Sequence, residues 1–253
     1  MNRILFEPGE IRDGAAEFGG DRARHVAEIL HGEPGQTLKT GVLDGPVGTS
    51  EILSVERDGD GWRIAVRTDH HEASAAPWVD LVLAPPRPRV LKRLLPQLAA
   101  LGVGKIVLVG AKKVEKDFWG ATLLKPETYR PLLVDGLMQA GTSAVPTIET
   151  RRAFRRFAAD EMDSMFPPGE RIVAHPYEAG HDAGNLGGEA VPDSQPASRL
   201  LLAIGPEGGW TDDEVELLAS KGFRRYSLGK RILRTDTAAV ALLARLAEGR
   251  DNG

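Results

Sequence analysis

Short apolar segments alternate with longer segments of helical periodicity from residue 78 onward, and this alternation constrains the fold more than any other feature of the chain. Strands that alternate with helices form a mainly parallel sheet covered by helices. The sequence therefore predicts an α/β layered fold for this part of the chain. The predicted strands are 78–84, 105–110, 146–150, 171–176, 200–205 and 224–229.

The region before residue 70 has a different pattern, in which strands are separated by tight turns. Strands are predicted at 36–43, 49–56 and 62–68, with the turn clusters DGPVG and DGDG between them. One helix interrupts this pattern; we expect Asp21 to be its N-cap and Gly32 to end it. A small β-barrel is the predicted fold of this region.

Two stretches rich in small residues divide the chain. Residues 70–77, HHEASAAP, end in proline and are typical of a linker. We therefore predict a β-barrel domain over residues 1–72 and an α/β domain over residues 73–253. The Gly/Pro-rich stretch 178–198 has no apolar period, which suits either a functional loop or a flexible connection.

Residue types that are missing exclude several functions. The chain has no cysteine, which excludes disulfides, thiolate metal ligands and a cysteine nucleophile. His25 and His31 have no third ligand at metal-binding spacing, so no metal site is predicted. No apolar segment approaches the roughly 18 residues of a membrane span, and the N-terminal segment has no apolar core of signal-peptide length, so we expect neither feature. We expect a cytoplasmic protein without a membrane partner.

Charge is unevenly distributed along the chain. Residues 1–77 contain 8 basic and 14 acidic side chains, a net charge of −6, whereas residues 78–253 contain 24 and 22, a net charge of +2. Residues 78–140 alone contain 10 basic and 5 acidic side chains, with RPRVLKR at 87–93 and KKVEK at 112–116. These two clusters indicate either a local basic face or an ordinary solvated surface.

The glycine turn, residues 205–209 with the sequence Gly-Pro-Glu-Gly-Gly, joins a predicted strand to a helix with a well-specified start. We expect Thr211 to be the N-cap and Glu214 its capping-box partner, with Trp210 and Val215 at hydrophobic-staple positions. No phosphate-binding motif is present, and the acidic first turn of this helix would repel an anion. The turn therefore favours a neutral or cationic ligand, with a simple tight connection as the alternative.

A second turn of the same design follows at residues 226–246, YSLGKRILRTDTAAVALLARL. A strand ends at Leu228-Gly229, an irregular segment contains Lys230, Arg231 and Arg234, and a helix opens around Thr235. Two such turns on neighbouring strand ends predict one shared site.

The segments LLLAIGPEGGWTDDEV and LGKRILRTDTAA resemble the SPOUT-superfamily RNA methyltransferases that methylate N3 of a uridine in 16S ribosomal RNA of the small subunit. MNRILFEP, RHVAEILHGEPGQTL and IVAHP are similar to other family segments in the same order. The resemblance implies a PUA-like RNA-binding barrel followed by a SPOUT α/β domain with a deep trefoil knot. It also implies S-adenosylmethionine as cofactor, ribosomal RNA and the small ribosomal subunit as partners, and a homodimer.

The same resemblance implies a set of site residues. Because N3 of uridine must lose its proton during methylation, Arg231 and Arg234 are expected to stabilise negative charge. Glu207 or Asp236 is expected to accept the proton. The implied cofactor contacts are Ala174, His175, Pro176, Ile204, Gly205, Pro206, Glu207, Gly208, Gly209, Leu228, Gly229, Ile232, Leu233 and Arg234.

The chain also departs from the family pattern on the target side. Ala100 replaces an expected Glu, and Met138 begins a stretch that replaces Glu-Gln and a following arginine. A different target nucleotide therefore stays open. Two further alternatives are a non-catalytic RNA-binding or ribosome-assembly protein, and an enzyme that binds a nucleotide phosphate at the glycine turn.

Overall fold

A computed structural model describes residues 2–176 and 199–248, so the predicted loop at 178–198 lies outside the described residues. The chain forms two compact units. The first unit comprises Met1–Ala76 together with Pro131–Val145, and the second comprises Pro77–Arg130 together with Pro146–Gly253.

The first unit is built on a six-stranded mixed sheet. Its strand order is β1-β4-β5-β6-β3-β2, in which β1 runs parallel to β4 and the other neighbours are antiparallel. Side chains such as Phe6, Val26, Ile52 and Ile64 form its core. The elements are β1 Ile4–Phe6, β2 Ile11–Arg12, β3 Ala15–Phe18, α1 Gly20–Arg24, β4 Thr37–Val42, β5 Val47–Asp58 and β6 Gly61–Glu72.

The three strands predicted for this region are confirmed as β4, β5 and β6. The prediction that Asp21 is the N-cap of the helix is wrong. The helix begins at Gly20 after an extended Gly19, and the Asp21 carboxylate accepts a hydrogen bond from Arg24 at 2.6 Å. The helix continues as a π-helical turn at His25–Ile29. The carboxylate thus pairs with a side chain within the same turn instead of capping the backbone.

Met138, one of the departures from the family pattern, has a structural role in the first unit. It is buried, and its carbonyl accepts hydrogen bonds from the backbone N–H groups of Asn2 and Arg3, each at 3.0 Å. These bonds fix the start of the chain just before β1.

A polar cluster lies inside the first unit around His70. The Thr40 hydroxyl is 2.7 Å from His70 Nε2 and 2.6 Å from the Ser50 hydroxyl, and both hydroxyl-bearing residues are buried. Burial lowers the pKa of His70 below its ordinary value, the Arg3 guanidinium lowers it further, and Asp69 partly opposes this shift. The folded protein therefore favours the neutral imidazole.

This lowered pKa predicts a loss of stability in mild acid. The unfolded chain binds a proton on His70 near pH 6.5, whereas the folded chain binds it only at lower pH. The His70 contribution is therefore fully present above pH 6.5 and is lost as pH falls through the folded pKa. We expect the melting temperature to fall more between pH 7.5 and 5 in the wild type than in His70→Gln. His71→Gln changes an exposed neighbouring residue and should behave as the wild type. An equal fall in melting temperature between pH 7.5 and 5 in all three proteins would contradict the role of His70.

The second unit contains a six-stranded sheet in which every pair of neighbours is parallel, with the order β12-β10-β11-β7-β8-β9. This confirms the predicted α/β layered fold. Its strands are β7 Val79–Leu83, β8 Val103–Val109, β9 Thr147–Arg151, β10 Arg171–Ala174, β11 Leu200–Ile204 and β12 Arg224–Tyr226. Its helices are α2 Pro88–Ala100, α4 Phe154–Arg156, α5 Met162–Met165, α6 Asp212–Ser220 and α7 Thr235–Ala247. The helix α3 Pro126–Ala140 begins in this unit, and its residues from Pro131 onward belong to the first unit.

The central strands of this sheet are buried on both faces, as expected for a parallel sheet between helix layers. Leu81, Val82, Val107, Leu202 and Ala203 are almost completely inaccessible to solvent. Because all six strands run in the same direction, the loops that follow them emerge at one edge. In open α/β sheets this carboxyl edge is where ligands bind.

Residues 2–176 and 199–248 contain neither a membrane-spanning helix nor a cluster of metal-binding side chains. None of the helices described there is long and apolar enough to cross a membrane. No group of three or more His, Asp or Glu side chains in the same ranges is arranged to hold a metal ion.

Candidate cofactor site

The described residues at the carboxyl ends of β10, β11 and β12 line a cavity of about 290 Å³, here called the donor cavity. These strands are neighbours in the sheet, so their carboxyl ends lie side by side at one edge. The two motifs found in the sequence contact each other at this point, because the Thr235 hydroxyl donates to the Gly205 carbonyl at 3.4 Å. Both turns therefore line one cavity, as a shared site requires.

Almost all predicted contact residues line the donor cavity. The exception is Arg234, whose side chain is exposed and whose backbone is the N-cap of α7. Arg231, predicted as a catalytic group, does line the cavity. The predicted residues found in the lining are Ala174, His175, Pro176, Ile204, Gly205, Pro206, Glu207, Gly208, Gly209, Leu228, Gly229, Arg231, Ile232 and Leu233.

Six lining residues were missed by the sequence analysis: Trp210, Tyr226, Ser227, Thr235, Ala238 and Leu242. Thr235, Ala238 and Leu242 are spaced by three and four residues and share one face of α7. The high alanine content of α7 indicated that another group could approach the helix backbone closely at that face. The other three residues directly adjoin the predicted loops in sequence.

The glycine turn leaves no room for side chains where it meets Trp210. A Cβ atom on Gly205 would lie 3.0 Å from the Trp210 backbone nitrogen and 3.1 Å from its ring, and Gly209 has a φ of +71°. The Trp210 ring is buried and packs against Phe154 with the ring centroids 5.1 Å apart. Backbone atoms therefore form this wall of the cavity, which suits a ligand held by main-chain hydrogen bonds.

The helix after the glycine turn is anchored by a buried carboxylate. Thr211 is its N-cap, as predicted, and its N–H donates to Glu214 Oε2 at 2.9 Å. The other oxygen, Glu214 Oε1, accepts from the Lys112 N–H at 2.8 Å. Glu214 is only 4% exposed. One side chain thus joins the glycine turn to the loop that follows β8.

Removal of this carboxylate is expected to destabilise the protein. Glu214→Ala leaves the N–H groups of Thr211 and Lys112 without their acceptor, and an unpaired buried donor costs about 1–3 kcal/mol. We expect the free energy of unfolding in urea to fall by about 2 kcal/mol. Glu216→Ala, at an exposed position on the same helix, is the matched control. An unchanged urea midpoint in Glu214→Ala would contradict this role.

A second cavity of about 200 Å³, here called the acceptor cavity, lies at the loops that follow β7, β8 and β11. Pro206, Glu207 and Gly208 line both cavities, so the glycine turn separates them. The Lys113 ammonium donates to the Gly208 carbonyl at 2.7 Å. The Arg87 guanidinium lies 3.2 Å from Glu115 and 3.9 Å from Glu207. Charged side chains therefore surround this cavity, whereas mostly backbone and apolar groups line the donor cavity.

Comparison with known proteins identifies the family. Residues 74–247 match the family model described as RNA methyltransferase domain. The ribosomal RNA small subunit methyltransferase E of Treponema pallidum is 30% identical to the chain over 249 residues, which cover 96% of the chain and 90% of the relative. The chain belongs to the ribosomal RNA small subunit methyltransferase E family. The resemblance inferred from the two turn motifs is thereby confirmed.

Other members of the methyltransferase E family match over nearly the full length. The Borreliella burgdorferi protein named ribosomal RNA small subunit methyltransferase E 1 is 24% identical over 242 residues, covering 95% of each chain. A Neisseria gonorrhoeae methyltransferase E, solved bound to S-adenosyl methionine, is 21% identical with a TM-score of 0.69, covering 98% of this chain and 97% of that one. A Legionella pneumophila protein in complex with the cofactor SAM is 24% identical with a TM-score of 0.71 and the same coverage. These structural matches establish the shared fold.

Proposed function

We propose that this chain is an S-adenosylmethionine-dependent methyltransferase that modifies N3 of one uridine in 16S ribosomal RNA. The observation that carries the proposal is the donor cavity, where loops from three neighbouring strands bring together the residues of both turn motifs. The names of the relatives and the cofactor in the Neisseria and Legionella structures support it.

The residues of the donor cavity fit this cofactor. The wall at Gly205 and Gly209 consists of backbone, which allows close approach by an adenosine group. Among the described lining residues Glu207 is the one carboxylate and Arg231 the one arginine, and these opposite charges suit a ligand that carries charges of both signs, as S-adenosylmethionine does. When bound, S-adenosylmethionine supplies an electrophilic methyl group on a cationic sulfonium. The predicted contact residues that line the cavity would hold it.

Three charged residues, Arg231, Arg234 and Glu207, are suited to act on the uridine that accepts the methyl group. Uridine N3 must lose its proton, and the negative charge that develops on the ring must be stabilised. We assign stabilisation of this charge to the guanidinium groups of Arg231 and Arg234. We assign proton acceptance to Glu207, because it lines both cavities. Asp236, the other candidate, is paired with Arg93 at 3.5 Å.

The acceptor cavity is proposed to receive the target base. It shares Glu207 with the donor cavity, and its walls combine proline rings and Phe118 with the charges of Arg87 and Lys113. Apolar walls with few polar groups are typical of small-ligand sites. Positioning the base beside the donor supplies much of the rate enhancement of a transfer reaction.

The proposal includes the architecture implied by the family: a PUA-like barrel at residues 1–72, a knotted SPOUT domain at 73–253, and a homodimer. The mixed sheet of the first unit and the near-complete coverage of the Neisseria structure support the two domains. Ile232 is 87% exposed beside the partly exposed Leu228 and Leu233, and such an apolar patch suits a second copy. A ribosomal RNA substrate implies a cytoplasmic enzyme.

Two experiments test the function separately. Modified nucleotides in 16S ribosomal RNA are mapped in cells with and without the gene, and loss of a single N3-methyluridine is expected. An unchanged map would overturn the substrate assignment. Calorimetric titration with S-adenosylmethionine tests the cofactor independently, because a non-catalytic RNA-binding protein would release no heat even at millimolar concentration.

A further inference from the structure

The exposed face of α2 carries only positive charge. Arg89, Lys92 and Arg93 are all exposed and lie three and four residues apart, which places them on one face of the helix. The α2 sequence PRVLKRLLPQLAA contains no acidic residue. This set of three side chains is called the α2 basic face below.

Two of these cations are uncompensated within the described part of the chain. Neither Arg89 nor Lys92 has a hydrogen-bond or ion-pair partner among residues 2–176 and 199–248, whereas Arg93 lies 3.5 Å from Asp236. Like charges at this spacing on a helix repel each other. An anionic partner would relieve this repulsion, and the relief should be greatest at Arg89 and Lys92.

The position of the α2 basic face connects it to both cavities. α2 begins directly after Arg87, which lines the acceptor cavity. At Arg93 the face meets Asp236 in the first turn of α7, the helix that borders the donor cavity. A polyanion bound along α2 would therefore pass the place where the target base must enter.

The charge balance of the chain points to the same face. RNA affinity depends largely on neutralisation of phosphates by Lys and Arg. Residues 1–76, which belong to the first unit, have a net charge of −6 and are poorly suited to that task. Uncompensated cations on the second unit can supply it.

We infer that the α2 basic face is the docking surface for the sugar-phosphate backbone of the substrate RNA. The inference rests on the proposed function, since it takes the acceptor cavity as the site of the target base. Arg89 and Lys92 bind phosphates most strongly, and Arg93 contributes less because Asp236 competes for it. The arginine fork and the lysine point charge bind phosphate without reading sequence.

The test measures how RNA affinity depends on salt. A fluorescently labelled, in vitro transcribed fragment of 16S ribosomal RNA is titrated with protein at several salt concentrations. These range from about 50 to about 300 mM and so bracket physiological ionic strength. Each lost single-strand phosphate contact lowers the slope of log K against log salt by about 0.7. For Arg89→Gln/Lys92→Gln we expect the slope to fall by about 1.4 and affinity near physiological salt to fall about 10-fold. Arg93→Gln alone should change both less.

Matched controls separate this surface from general charge effects. Arg155→Gln/Arg156→Gln removes two exposed cations that already pair with Asp213 and Asp160, and should leave the slope unchanged. Lys92→Arg keeps the charge and should retain wild-type affinity. Equal slopes in Arg89→Gln/Lys92→Gln and the wild type would overturn the inference, as would loss of S-adenosylmethionine binding by that variant in calorimetry.

Failure of the inference and failure of the proposed function are distinguishable. If the wild type transfers methyl groups to RNA but the double variant keeps its salt slope, the function stands and the docking surface is wrong. If the slope falls as expected but the wild type transfers no methyl group, the docking surface stands and the function is wrong. The double variant should raise KM for RNA by a larger factor than it lowers kcat.

Discussion

Arg234→Ala is expected to lower kcat for methyl transfer about 100-fold while leaving the melting temperature unchanged. Removal of one charge-stabilising donor from an active site typically costs about 100- to 1000-fold in rate. Stability should be retained because the Arg234 side chain is exposed and its structural role is carried by its backbone. Its carbonyl accepts the Ala238 N–H at 2.8 Å, and its extended conformation is one that alanine adopts freely.

Comparison with two other arginines assigns the effect to the site. Arg231→Ala should cause a loss of similar size, because Arg231 lines the donor cavity. Arg245→Ala removes an exposed arginine near the end of the same helix and should keep full activity. Single-turnover kinetics at saturating cofactor and RNA measure the chemical step. Wild-type turnover in Arg234→Ala would remove this residue from the proposed mechanism.

Gly205→Val is expected to weaken S-adenosylmethionine binding by about 100-fold or more, a loss of about 2.7 kcal/mol. A Cβ atom here already lies within 3.2 Å of three Trp210 atoms, and Trp210 cannot withdraw because it is buried against Phe154. The two methyl groups of valine must therefore occupy the donor cavity or displace the turn. Either outcome removes the backbone surface that the adenosine group requires.

Calorimetry with the cofactor measures this loss directly. Gly120→Val is the control, because a Cβ atom at Gly120 meets no neighbour within 4 Å and φ is not positive there. The control should bind the cofactor as the wild type does. Should Gly205→Val retain wild-type affinity, the cofactor would have to lie outside the cavity formed by the glycine turn.

Features that depend on short stretches of chain were predictable from the sequence. Thr211 caps α6, and its capping-box partner Glu214 is only three residues away. The glycine turn is recognisable from its composition, because three of its five residues are glycine. The alternation of strands and helices was sufficient to predict the α/β fold. The very short strands β1, β2 and β3 were missed, because two to four residues give too little pattern by themselves. β12 is as short, but its place between two helical segments in the alternating pattern made it predictable.

Features that join distant segments were not predictable in this way. The Glu214–Lys112 hydrogen bond links residues 102 positions apart, and the Arg87–Glu207 pair links two different loops. The acceptor cavity exists because β7 lies between β11 and β8 in the sheet. Local periodicity identifies strands but does not say which strands are neighbours, so this cavity could not be derived from the residues alone.

The shared wall between the two cavities limits how this enzyme can change during evolution. A substitution at Pro206, Glu207 or Gly208 alters both cavities at once. Under the assignment proposed above, affinity for the methyl donor and affinity for the target nucleotide therefore cannot change separately through these positions. Residues that line one compartment alone, such as Ile232 on one side and Val114 on the other, are where selectivity can be adjusted independently. An inhibitor that contacts Pro206, Glu207 and Gly208 from both cavities would therefore be difficult to escape by mutation. A resistance mutation at these residues would also weaken binding of both substrates.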